Sequence, residues 1–164
     1  MGVTNGFLRV PRDEFSSLEK DASAFERRCR EYDHPDYLDM DKAGYELLFF
    51  LDPSTVDLDN PDAESPVPSI AKVLGGGTVL HKDIDLGYGP AQRVPDDAMR
   101  ASRDEFERLD YDQCYEMAST ELMSEVLLVE IDEEMFREYH WPYLQSLGQF
   151  IKEAVDRDMV VLRY

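Results

Sequence analysis

Several things are scarce in this 164-residue sequence, and each scarcity removes a class of protein. Cysteine occurs twice, at Cys29 and Cys114, with no CxxC spacing and no Cys/His cluster. Two free, part-buried thiols are expected, not a disulfide framework or a zinc site, and no cofactor is implied. Long apolar runs are missing too. Leu47–Leu51 is the longest, and Val126–Val129 is shorter still, far short of the roughly 20 residues that span a bilayer. The opening Met-Gly-Val-Thr-Asn-Gly-Phe has neither the basic nor the apolar region of an export signal, so the expected address is the cytoplasm. Basic residues are few, and their one local cluster, Arg27-Arg28-Cys-Arg30, is followed at once by acids. It reads as a solvated helix face, and nucleic acid is not expected as a partner. Signatures of chemistry are absent as well: there is no GxSxG elbow, HExxH helix or GxxxxGK[ST] loop.

What the chain has in abundance is acid, 36 Asp and Glu against 17 Lys and Arg, for a net charge of -19. One reading is an interaction surface that steers a basic partner inward. The other is a solubility or salt adaptation, consistent with Arg (12) outnumbering Lys (5) and with acids in nearly every segment. Asp57, Asp59, Asp62 and Glu64 do not make a calcium loop: the sixth position is Asp62 where glycine is required, and the twelfth is Pro68 where glutamate is required.

Residue patterning predicts a strand over Val3–Val10 ending at Pro11, then one or two helices to about Arg30 on Phe15, Leu18, Ala22 and Phe25. Asp39 or Asp41 is expected to cap a largely buried helix carrying Ala43, Leu47, Leu48, Phe50 and Leu51. Residues 52–68 read as a surface loop, and Ser69–Leu74 as a short helix closed by glycine. Further helices are predicted from Pro95 to about Leu109, from Asp112 to about Met123, and from Pro142 to Asp158. Val126–Ile131 is strand-like by β-branching, and Met159–Tyr164 closes the chain as a strand pairing with the first. The expected fold is α+β: one compact domain over 1–164, mostly helical, with a small sheet that includes both terminal strands.

Five of the nine glycines fall within fifteen positions, as Gly75-Gly-Gly77 and on either side of Tyr88. Glycine weakens ordinary elements, so such a cluster marks backbone that must turn or be closely approached. The candidate binding site joins Asp39, Asp41, Lys42 and Tyr45 at the buried helix's start to Gly75, Gly76, Gly77 and Tyr88. In the functional reading, backbone N–H groups and Lys42 receive a polar or anionic ligand against a Tyr88 wall. In the structural reading, Asp41 caps, Lys42 pairs with it, and the glycines make turns. His81, Asp83 and Asp85 would share one face of an extended segment, but nothing completes a metal site. The Tyr139-His-Trp-Pro-Tyr143 cluster is expected to pack.

Taken in order, Met1-Gly2 before Phe7, Asp39-Met-Asp-Lys-Ala-Gly-Tyr-Glu-Leu-Leu-Phe-Phe-Leu51, Val73-Leu-Gly-Gly-Gly77, Gly87-Tyr-Gly-Pro-Ala91 before Val94-Pro95, and the closing Tyr143–Tyr164 segment resemble the YfbM-like bacterial family of unknown function. The resemblance spans nearly the whole chain. It implies a single α+β cytoplasmic domain and supplies no catalytic residue and no cofactor. The leading expectation is a non-catalytic binding or protein-interaction domain for a basic protein partner or a small polar ligand. The alternative is an enzyme acting on a small polar or anionic substrate in a glycine-framed cleft, with Asp39, Asp41 or His81 as acid/base and Tyr88 as a wall. Purified protein is expected to retain no stoichiometric transition metal, which elemental analysis after dialysis checks. One equivalent of zinc, manganese or iron that is lost in His81→Ala would overturn this.

Overall fold

In the computed structural model, residues 5–56 and 64–164 are described; Asp57, Asp59, Asp62 and the start of the expected first strand lie outside them. The two ends of the described chain pair. Strand β1 (Gly6–Pro11) runs antiparallel to the last strand, Met159–Arg163, with Phe7 opposite Arg163 and Val10 opposite Val160. Strand β2 (Tyr37–Asp39) adds to the outer edge of β1. Two short strands, β3 (Thr78–Val79) and β4 (Gln92–Arg93), extend the other side, so the last strand is β5 and the order is β2-β1-β5-β4-β3, antiparallel throughout.

Side-chain alternation sorts the two central strands into two cores. Leu8, Val10, Val160 and Leu162 face one way, onto Phe15 and Leu18 of α1 (Arg12–Leu18) and Phe25 and Cys29 of α2 (Ala22–Cys29). Phe7, Met159 and Val161 face the other way, into the larger core of α3 (Ala43–Leu51), α4 (Pro68–Gly75), α5 (Asp96–Arg108), α6 (Tyr111–Ala118) and later helices. With both faces covered, β1 and β5 read as nearly continuous apolar runs. The two cysteines sit in these cores, where burial pushes the Cys29 thiol up to about 12 and the Cys114 thiol up to about 11. The fold is α+β and mostly helical, with both terminal strands in the sheet, as expected. Among the described residues no helix is long and apolar enough to cross a membrane.

Three local expectations change. The strand-like Val126–Ile131 forms no strand: Val126 and Leu127 end a helix, α7 (Glu121–Leu127), started by the Thr120 side chain accepting from Met123 N–H and stopped by Leu128 at φ 58, and the residues after it are irregular. Capping and a left-handed stop override β-branching there. That same Thr120 cap divides the helix expected over residues 112–123 into α6 and α7. The last helix begins well before Pro142: α8 (Glu133–Met135) runs through a π-helical turn at Phe136–His140 into α9 (Trp141–Asp156). The wider turn adjoins the place where proline can offer no N–H to the ladder.

The glycine run closes α4 and starts the sheet's edge. Gly76 N–H bonds Lys72 O at 2.8 Å, ending the helix. Gly77 has φ 154, and a Cβ there would meet Gln92 Cβ at 2.9 Å and Arg93 O at 3.0 Å. Only a bare Cα lets the chain lie this close to β4 before Thr78 pairs with Arg93. Gly75 is helical and faces only the movable Leu48 methyls. Gly77→Ala is expected to destabilise by more than ~1 kcal/mol, and Gly75→Ala by clearly less, in chemical denaturation. Equal tolerance of both would remove the steric account.

Candidate functional site

A cleft of about 260 Å³ opens where the start of β1, the end of β2 and the Asp85–Pro90 turn meet. Its walls are Tyr32, Tyr37, Tyr88 and Tyr164, with Asp39 and Asp41 at one side. Tyr37 holds the wall together, edge-on to Tyr32 at 5.4 Å and stacked with Tyr164 at 6.1 Å. The Tyr164 hydroxyl donates to Cys29 O at 2.7 Å. Burial pushes the Tyr37 hydroxyl up to about 12, with Asp39 adding to the effect, and burial also raises Tyr164. Both stay neutral at pH 7.

The two aspartates are set by backbone geometry. Asp39 Oδ1 accepts the Asp41 N–H at 2.9 Å, an Asx turn that helps hold Asp41 at φ 47. Asp41 O accepts the Asn5 N–H and Met40 N–H returns to Asn5 O, tying this corner to the start of β1. From the far side, the Tyr139 hydroxyl donates to Asp41 Oδ2 at 2.9 Å. Neither aspartate caps α3; Lys42 stands at the N-cap with no side-chain bond. The expected capping fails because Asp39 is spent on the Asx turn and Asp41 is held by Tyr139.

Opposite them, Asp85 Oδ1 accepts from Gly87 N–H at 2.8 Å and Gly89 N–H at 3.1 Å, both glycines having positive φ, so that Tyr88 projects with 54% exposure. His81, Asp83 and Asp85 do not converge. His81 Nε2 meets Leu18 O at 3.0 Å with its ring 4.6 Å from Phe25, while Asp85 serves its own turn. Among the described residues no group of three His, Cys, Asp or Glu is placed to hold a metal.

Behind the cleft lies a smaller cavity of about 40 Å³, lined by Tyr45, Gln92 and Arg163 and sharing Asn5, Tyr88 and Tyr164 with the first. Arg163 is only 8% exposed. Its guanidinium donates to Leu74 O, to Gly75 O at 3.1 Å and to Gln92 Oε1 at 2.6 Å, and it has no carboxylate partner among the described residues. Two of these acceptors are carbonyls at the negative end of α4. The helix end that leads into the glycine run therefore presents the Leu74 and Gly75 C=O groups to a cation of this protein, where sequence reasoning expected N–H groups for an anion.

Of the residues expected at the site, Asp39, Asp41 and Tyr88 meet in the cleft, and Tyr45 joins Tyr88 in the inner cavity. Gly75 and Gly76 line a separate cavity beside Lys72 and Ser54. Gly77 lies at the β4 contact, and Lys42 is exposed outside the cleft. Sequence reasoning missed Asn5, Tyr32, Tyr37, Tyr164 and Arg163. A signal existed for the last: an arginine ending the apolar run Met159-Val-Val-Leu.

Helices on both faces of a small antiparallel sheet joined at the chain's ends define an α+β domain with a surface cleft. The chain belongs to the family described as a domain of unknown function (DUF1877), which matches it over residues 1–164. Its fold is similar to the crystal structure of a protein of unknown function, YfbM from Escherichia coli, at 15% identity and a TM-score of 0.65 over 98% of each chain. No curated protein matches.

The turn that carries Tyr88 has a testable signature. Hydrogen bonds from Gly87 and Gly89, in that order, hold the Asp85 carboxyl below its usual pKa. A depressed carboxylate contributes stability that is present above its unfolded value and is lost as pH falls through the folded one. The Gly87 and Gly89 amide resonances are expected to titrate together in NMR, with a midpoint below 3.8. A midpoint at or above that value would show that the turn does not hold the carboxylate.

Proposed function

We propose that this is a binding domain and that its cleft takes a cationic group. The observation carrying this reading is the lining itself: four tyrosines and two aspartates, with no Lys, Arg or His among the described residues. Aromatic faces attract cations through the ring quadrupole, and paired carboxylates add direct Coulomb attraction. The net charge of -19 raises the local concentration of any cation approaching the surface. A basic protein presenting such a group is drawn by the same field, and neutralising that protein is the finer form of this reading.

An enzymatic alternative has one observation in its favour. His140 Nε2 lies 2.7 Å from Glu46 Oε2, next to the Tyr139–Asp41 bond. His140 is fully buried and lines neither cavity, so the pair supports the back of the site without reaching a substrate in it.

Titration with n-propylguanidinium and n-butylammonium, followed by tyrosine ring NMR shifts, tests the reading. Both cations are expected to bind at least about tenfold tighter than butanol or butyrate, and to lose about tenfold in Asp39→Asn/Asp41→Asn. Raising the salt concentration is expected to weaken binding. Equal binding of neutral, anionic and cationic molecules, or no saturable binding, would overturn it.

A further inference from the structure

We infer that the occupant of the cleft is a free zwitterion, an amino-acid-like molecule whose cationic end meets Asp39 and Asp41 and whose carboxylate points inward toward Asn5 and Arg163. The inference rests on the cation-binding reading above and adds a second, opposite charge to the ligand.

Asn5 is the first support. It lines both cavities and is 5% exposed, yet neither its Nδ2 nor its Oδ1 has a hydrogen-bond partner among the described residues. Both atoms are closed off by packing against Gly44, so a ligand in either cavity completes the amide once the side chain turns toward it, a turn that the cost of an orphaned buried amide favours. The position is built. A Cβ on Gly44 would fall 1.9 Å from Asn5 Oδ1, so the bare Gly44 in the first turn of α3 makes room for the carboxamide. Because the amide offers one donor group and one acceptor, the molecule that satisfies it has both an N–H and an oxygen acceptor.

Arg163 is the second support. Burial lowers its pKa, and in a chain with 36 acidic residues it has no carboxylate partner among the described residues. Three acceptors meet a group with five N–H donors, and the same side chain lines the inner cavity with Tyr45 and Gln92. Negative charge in the outer cleft and positive charge behind it, with Asn5 between, select against other occupants. A plain cation leaves Asn5 Nδ2 unmet. A plain anion is repelled at Asp39 and Asp41. A side chain of a folded protein brings no carboxylate beside its charge. The inner space of about 40 Å³ suits a carboxylate and is too small for a ring.

The test compares L-arginine with agmatine, which lacks only the carboxylate, and with L-arginine methyl ester, which lacks only its charge. L-arginine is expected to bind about tenfold tighter than either, the size of one charge-assisted contact. In Asn5→Ala that advantage is expected to shrink toward unity. In Asn5→Asp, where a negative charge faces the carboxylate, it is expected to reverse. Circular dichroism and thermal melting of each variant confirm that it is folded. If agmatine and the ester bind as tightly as L-arginine, or if the advantage survives in both folded variants, the zwitterion inference is wrong and the cation reading stands. If none of the three saturates the protein, both fail.

Discussion

The pairing of β1 with β5 is the constraint on which the rest of the structure depends. It joins residues about 150 positions apart, so its loop-closure entropy is paid only by what the two strands bury. Phe7, Leu8, Val10, Met159, Val160, Val161 and Leu162 are all essentially inaccessible, and each such side chain contributes roughly 1.5–3 kcal/mol before chain entropy is subtracted. Burial on both faces commits the sheet to a helical layer on each side. It also leaves two positions on the α3–α9 face, Arg9 and Arg163, where the strand pattern places a cation instead of an apolar residue.

The two arginines are accommodated in opposite ways, and that difference shapes the molecule. Arg9 bonds Asp36 at 3.1 Å and Glu153, and its guanidinium lies 4.4 Å from the centre of the Phe150 ring. Asp36 also takes Arg157 at 2.9 Å. The segment leading into β2 is thus fastened to α9 and to the residue after it, and β2 is what delivers Tyr37 and Asp39 to the cleft. Arg163, at the other end of the same face, is held by the α4 carbonyls and Gln92. One buried cation is used up as a fastener, and the other keeps a side turned to a cavity. The abundance of arginine over lysine follows in part: Arg12, Arg28, Arg30, Arg93 and Arg103 also bridge carboxylates, where a planar fork loses less freedom per bond than a flexible ammonium.

How far the sequence discloses this arrangement depends on the range of the forces involved. The apolar runs at the two ends, the buried α3 and the amphipathic α9 are legible because burial imprints a local period. The end of α7 is not, since Val126–Val129 satisfies a strand pattern while Thr120 and a left-handed Leu128 decide otherwise. The missing cap on α3 is hidden for a different reason: Asp41 is claimed by Tyr139, 98 positions away. The candidate site is half legible. Asp39, Asp41 and Tyr88 stand out through turn chemistry, but Tyr32, Tyr37 and Tyr164 become a wall only once β2 is registered on β1 and β1 on β5. Gly75–Gly77 misleads because a glycine run offers both N–H and C=O groups, and only the tertiary position of Arg163 selects the carbonyls.

The cleft also concentrates features that cost stability. Asp41 has a left-handed backbone, and the buried side-chain amide of Asn5 has no hydrogen-bond partner among the described residues. Conformations of this kind persist when the surroundings over-determine them, and the surroundings here are identifiable. Asp39 and Tyr139 fix Asp41 from two sides, Asp85 fixes the glycine turn, and Gly44 admits the Asn5 amide. None of these arrangements is needed to close the hydrophobic cores, which are complete on either face of the sheet. A fold that met only the demands of burial would have no use for an amide that finds no hydrogen-bond partner, and an arginine that finds no acid, among the described residues. Their convergence on one cleft, across from two aspartates, is the reason for placing function at this corner and not in the larger groove between α5 and α9, which is lined by Phe106, Leu144 and Trp141 and owes its shape to helix packing.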